Sequence, residues 1–220
     1  MPYSMVHFAI SVEISELTQK PLSPEFLLGS ISPDCIYIRK DMGNEIKDVT
    51  HLNFLSLKGE ITDEIVFERM GRFLQTYVIP NDQKRTEFLA GYISHILADI
   101  HWTATVSREF RKQIPTNLSR REQWDFYQNE QNQIDFELYR TVPWKNTVWE
   151  LLTESTPFEL GNLIKSEDVQ GWRNFLLEYF ESDAEPKIIP TYITSERVHH
   201  FIGTAATYVI RIIDELALYK

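Results

Sequence analysis

Apolar residues recur along this chain at the three- and four-residue intervals of amphipathic helices, and strand-like alternation is nearly absent. Met5, Phe8, Ala9 and Val12 set the first such stripe, with Ser4 placed to cap it. Residues 24–30 form a short helical turn that SISPD (30–34) breaks. Across 35–60 the period fades and Gly43 and Gly59 mark turns, so this stretch reads as a long loop crossing the surface. Thr62-Asp63-Glu64 opens a helix through about Tyr77, and a central helix follows Pro80-Asn81-Asp82, from Gln83 to Arg111. Ser119 caps a further helix through Arg140, and a shorter one follows Pro143. Residues 168–181 carry Trp172, Phe175, Leu176 and Tyr179 on one side, and 194–218 form a last long helix. No repeat, low-complexity tract or flexible linker interrupts this order, so the expectation is one all-α domain over residues 1–220, built as a helical bundle.

Composition narrows the function. Hydrophobic residues make up 43% of the 220 and aromatic ones 13%, which describes a packed core and excludes a disordered tail. A net charge of −10 argues against stable nucleic-acid binding and against an anionic lipid surface, because both select for basic patches. A small phosphorylated substrate stays compatible where a bound cation supplies the positive charge. Cys35 is the only cysteine, which excludes an intrachain disulfide and a thiolate zinc cluster. No apolar run approaches the ~20 residues of a membrane span. The N-terminal MPYSMVHFAISVEI lacks a basic region before its apolar residues, so the expectation is a cytoplasmic protein, of bacterial origin. Neither a G-x-S-x-G nucleophile elbow nor a phosphate-cradling glycine loop is present.

The strongest chemical signal is FLAGYISHILADIHW (88–102), where His95 and Asp99 lie four residues apart and leave the same face of one helix. Phe88, Tyr92, Ile96 and Leu97 surround them, and an imidazole and a carboxylate in apolar surroundings require a partner or a ligand. Upstream, Pro33 presents Asp34 in LLGSISPDC, and His51 lies in DVTHLNF. Two imidazoles and two carboxylates without sulfur suit zinc, or manganese or iron, with water at an open position.

Taken together, FLLGSISPDC, a histidine seventeen residues past its aspartate and FLAGYISHILADIH resemble the zinc-dependent phospholipase C / P1 nuclease superfamily, in its short bacterial branch of phospholipase C-like hydrolases. The resemblance runs from His7 to about Asp135. It implies an all-α fold and a zinc site whose full ligand set is Asp34, His51, His95 and Asp99, with Asp99 bridging to a second metal and His7 helping to bind a third. Three positions depart from the family pattern: Thr105 stands where a ligating histidine is expected, and Tyr127 and Gln131 occupy the ligand register of the later helix. Glu130 or Asp135 on that helix are the replacements to expect. His101, about 200° around the helix from Asp99, reads as orienting Asp34 or capping the helix. His199 and His200 read as a pair without a role. The tryptophans read mainly as core, with Trp102 at the mouth of the site. The functional expectation is a metal-dependent hydrolase of small soluble phosphoric esters, with Asp34 as base toward a metal-activated water. The alternative is a non-catalytic helical module of the same fold.

Overall fold

The computed structural model describes residues 1–39, 43–57, 59–216 and 218. Among these, ten α-helices and one 3-10 helix carry the chain, and the sole extended pairing is an isolated bridge between Leu160 and Ile164. The helices are α1 (Ser4–Thr18), α2 (Pro24–Gly29), the 3-10 helix Ser32–Ile38, α3 (Asn44–Thr50), α4 (Asp63–Tyr77) and α5 (Gln83–Ala104). They continue with α6 (Val106–Gln113), α7 (Arg120–Thr141), α8 (Lys145–Glu154), α9 (Ser166–Tyr179) and α10 (Ser195–Glu215). The protein is all-α.

Local sequence explains most boundaries. Ser23, Thr62, Asp82 and Thr194 each accept a backbone N–H of the first turn they precede, and Ser119 closes a full capping box with Glu122. Helix α1 is different. Its N-cap is Tyr3, which offers no side-chain cap, and Ser4 is already its first helical residue. The amide of Met5 is satisfied from outside, by the Asp135 carboxyl of α7 at 2.9 Å.

Beyond the Ser4 cap, two expectations change here. The expected 83–111 helix is two, because Thr105 leaves helical geometry (φ −116°, ψ −88°) and separates α5 from α6. The stretch read as a loop holds the 3-10 helix and α3, both too short for a periodic signal to stand out.

The core is continuous from Met5 to Ile213, and α5 runs through its middle, with every residue from Phe88 to Asp99 buried. Helix α10 lays the stripe Val198, Phe201, Ile202, Ala205, Val209 and Ile212 inward. Helices α2 and α5 touch backbone to backbone. A Cβ on Gly29 would lie 2.1 Å from the Phe88 carbonyl oxygen, and one on Gly91 would lie 2.0 Å from that of Phe26. Both glycines belong to the two motifs that carry the candidate ligands, and their contact fixes one motif against the other.

Candidate metal centre

Five polar side chains from four elements converge beside the α2–α5 contact. His7 comes from α1, Asp34 from the 3-10 helix, His51 from the C-cap of α3, and His95 and Asp99 from α5. The histidines and Asp99 are buried, whereas the Asp34 side chain keeps 15% exposure and forms the open edge.

Two rings are oriented from behind. His95 Nδ1 donates to the Ser30 carbonyl and His51 Nδ1 donates to the Lys47 carbonyl, each at 2.8 Å. A carbonyl can only accept, so Nδ1 carries a proton, and in the neutral ring Nε2 presents its lone pair inward. This backing is the arrangement that metal-ligating histidines ordinarily have.

Inward, acceptors meet acceptors. His51 Nε2 lies 3.5 Å from Asp34 Oδ1 and 3.3 Å from Asp99 Oδ2. His95 Nε2 lies 3.9 Å from Asp34 Oδ2 and 3.6 Å from Asp99 Oδ2. A tetrahedral zinc with bonds of about 2.0–2.2 Å holds its ligand atoms roughly 3.3 Å apart, close to these separations. Nε2 of all three histidines, Asp34 Oδ1 and both oxygens of Asp99 are buried without a hydrogen-bond partner among the described residues. Burial lowers the pKa of His95 and, joined by repulsion from His95, sends that of His7 well below the ordinary value, so these rings are neutral. Burial pushes the Asp99 carboxyl upward, and only positive charge beside it, on His95, His51 or His7 or on a cation in their midst, draws it down. Lone pairs pointed at carboxylates in a dry interior repel one another unless a cation lies between them.

His7 addresses the other oxygen of Asp99. Its Nε2 is 3.6 Å from Oδ1, and its ring stacks on His95 with centroids 3.9 Å apart. The candidate ligand atoms form two overlapping groups, His7–His95–Asp99 and Asp34–His51–His95, each within 4.8 Å.

The remaining expected residues lie elsewhere. Glu130 is buried, but its two oxygens accept the amides of Thr191, Tyr192 and Ile193 at 2.7–3.2 Å, which anchors the segment leading into α10. Asp135 caps α1, and neither residue joins a candidate metal group among the described residues. Both Glu130 oxygens and Asp135 Oδ2 are committed to backbone amides, a demand that helix spacing does not reveal. His101 turns away from Asp34: Nε2 meets the Thr204 hydroxyl at 3.2 Å, and the ring stacks between Phe201 and Tyr208. Trp102 is buried and is no mouth residue; its Nε1 donates to the Tyr127 hydroxyl at 2.7 Å. That hydroxyl also accepts from the N-terminal amine at 3.0 Å, which burial pushes down to about 6. Gln131 donates to the Tyr127 carbonyl, and the Thr105 hydroxyl donates to that of His101. Trp124 is exposed rather than core, and His199 and His200 are exposed on α10.

Asp135 offers a direct check on this reassignment. Burial pushes its carboxyl up to about 8, against 3.8 ordinarily. The folded protein holds that proton while the unfolded chain releases it. This stabilisation is therefore complete below about pH 4 and is lost as pH rises through about 8. Asp135→Asn keeps an oxygen for the Met5 amide and removes the titration. Its melting temperature should fall less than the wild type's between pH 5 and pH 8, with metal content unchanged. Asp135→Ala should lose about 1 kcal/mol, as a missing cap does. A metal equivalent lost with Asp135→Asn would return the residue to the ligand set.

Sequence reasoning missed Lys47. It lies one helical turn before His51, and that i, i+4 spacing was the available signal. Its Nζ is 3.6 Å from Asp34 Oδ1, sits 4.5 Å from the centroid of the Tyr37 ring and donates to the Tyr37 hydroxyl. Burial works against the ammonium, yet Asp34 and Tyr37 outweigh it and the pKa is raised, so Lys47 is charged.

A hollow of about 200 Å³ opens onto His51 and Asp99 between Phe54, Leu55, Ile61 and Ile100. Residues 5–139, which contain all five cluster side chains, match the family model described as zinc dependent phospholipase C, and the chain belongs to that family. No curated protein and no solved structure matches it. No described helix is long and apolar enough to cross a membrane.

Proposed function

We propose that this protein is a metal-dependent hydrolase of phosphoric esters, with Asp34, His51, His95 and Asp99 holding one zinc ion. The observation that carries this is the set of inward, partnerless lone pairs on His51, His95, Asp34 and Asp99, with both Nδ1 atoms already committed to carbonyls. Zinc bound there would supply a Lewis acid for the phosphoryl oxygen and a water nucleophile near neutral pH. Asp34, at the open edge, would accept the proton released from that water. Asp99 turns Oδ2 to the His51–His95 pair and Oδ1 to His7, which supports a second cation shared between Asp99 and His7. Manganese or iron suits the same nitrogen and oxygen donors. The continuous core supports reading residues 1–220 as one domain.

The substrate is a small soluble phosphoester whose organic group occupies the apolar hollow beside His51 and Asp99. A chain of net charge −10 does not favour an anionic bilayer or nucleic acid, and the cytoplasm of a bacterium is the setting we propose.

One observation favours a second reading, a non-catalytic module of the same fold. Thr105, Tyr127 and Gln131 stand at family ligand positions and are engaged in hydrogen bonds away from the cluster, so the centre has fewer donors than a three-metal site.

Metal content separates the two. Protein purified without chelator should carry at least one transition-metal equivalent per chain and should cleave a nitrophenyl phosphodiester or monoester. Stripping the metal should lower the melting temperature, and zinc at a thousand times its Kd should restore about 4 kcal/mol. A metal-free, inactive protein whose melting is indifferent to zinc would leave the module.

A further inference from the structure

We propose that Lys47, held by Tyr37 at the open edge of the cluster, receives a non-bridging oxygen of the substrate phosphoryl group. This assignment rests on the metal-dependent hydrolase proposed above and adds the protein's own side chain to phosphoryl recognition.

The first argument is position. Asp34 is the most exposed of the five cluster side chains, with 15% of its side chain accessible against 1–4% for the others. A substrate approaching past Asp34 therefore meets Lys47, whose own side chain is 13% exposed. Tyr37, 41% exposed, forms the rim above it.

The second argument is geometry. A charge-assisted N–H···O bond runs about 2.7–2.9 Å, and the Lys47–Asp34 separation is 3.6 Å. The pair is an ion pair without a hydrogen bond, and Asp34 Oδ1 has no hydrogen-bond partner among the described residues. Among the same residues, the hydrogen-bond acceptor of the ammonium is the Tyr37 hydroxyl. An ammonium has three donors, so Tyr37 orients the group and leaves N–H bonds for another acceptor.

The third argument is charge. At the single zinc site proposed, the two carboxylates of Asp34 and Asp99 neutralise the divalent cation, so that site alone offers an incoming phosphoryl anion no net attraction in a chain of net charge −10. Once Asp34 shares its charge with a cation, its hold on Lys47 weakens, and an anion within reach takes its place. Lys47 has a second tie to the centre through its backbone, since its carbonyl orients His51. Replacing the side chain leaves that tie intact.

The test compares wild type with Lys47→Met, Lys47→Arg and Tyr37→Phe, first titrated with zinc as metal-free proteins and then, zinc-loaded, with inorganic phosphate by calorimetry. Lys47→Met should bind zinc as wild type does and phosphate about tenfold or more weakly. Lys47→Arg should recover part of that loss, and Tyr37→Phe should lose a smaller factor. Wild-type phosphate binding in a zinc-loaded Lys47→Met protein would overturn the assignment and leave the metal centre standing. A parallel loss of zinc would overturn it too, because Lys47 would then serve only to hold Asp34. Failure of wild type itself to take up zinc would remove the metal centre and this assignment together.

Discussion

His95→Ala should reduce phosphoester hydrolysis on the order of 10³-fold, about 4 kcal/mol of transition-state stabilisation, while the helical circular dichroism stays close to wild type. His95 contributes to both candidate metal groups, so no other single imidazole removes as much of the centre. The metal-free variant should not melt lower for want of a favourable contact at Nε2. In the metal-free wild type this nitrogen faces Asp34 and Asp99 as one acceptor faces another, and deleting it relieves that repulsion. What remains is the loss of the Ser30 bond and of the packed ring, which the zinc-loaded comparison isolates. The expected signature is a large gap between wild type and variant in the presence of zinc and a much smaller one in its absence. Asp34→Asn should give the same loss of turnover with less loss of zinc, because an amide keeps a ligating oxygen and gives up the base. Full turnover in either purified variant would remove the mechanism.

Much of this centre was legible because its chemistry follows helix spacing and two short motifs. His95 and Asp99 had to share a face, and G-x-x-x-P-D places Asp34 in the first turn of the 3-10 helix. His7, Asp34, His51, His95 and Asp99 do converge. The errors share one cause: the sequence displays a polar residue without its remote partner. Glu130 and Asp135 are inward on α7, as a ligand would be, but the amides of 191–193 and of Met5 claim them. His101 and Trp102 were placed by their distance from Asp99 along the chain, whereas α10 and Tyr127 determine where they point. Helix α3 and the 3-10 helix span seven residues each, less than two full turns of α-helix, so tertiary packing rather than periodicity sustains them. Lys47 went unseen because a charged residue on so short an element has no apolar stripe against which to stand out.

Gly91→Ala should unfold the protein at markedly lower temperature and weaken the metal centre with it. Alanine in a helix interior ordinarily gains about 1 kcal/mol over glycine. Here the added Cβ would fall 2.0 Å from the Phe26 carbonyl oxygen and 2.9 Å from the Ser30 amide nitrogen, both backbone atoms that no rotamer change can move aside. Helices α2 and α5 must separate, at a cost beyond the ~1–3 kcal/mol of ordinary overpacking. At ~2–4 °C per kcal/mol for a chain of this size, the melting temperature should drop by about 10 °C. Gly29→Ala meets the Phe88 carbonyl at 2.1 Å and should behave alike. The functional effect follows from Ser30, whose carbonyl sets the His95 tautomer and moves with α2. Zinc affinity should therefore fall by about 10–100-fold even where the fold survives at low temperature. Gly71→Ala on α4 and Gly203→Ala on α10 supply the control, since a Cβ at either position meets nothing within 4 Å beyond the adjoining backbone of its own helix. Those two should melt slightly above wild type, so the four substitutions, identical in chemistry, separate in sign by backbone proximity alone. A Gly91→Ala protein that melts with them would show that α2 and α5 do not meet as described, and that the Ser30 carbonyl does not hold His95 in place.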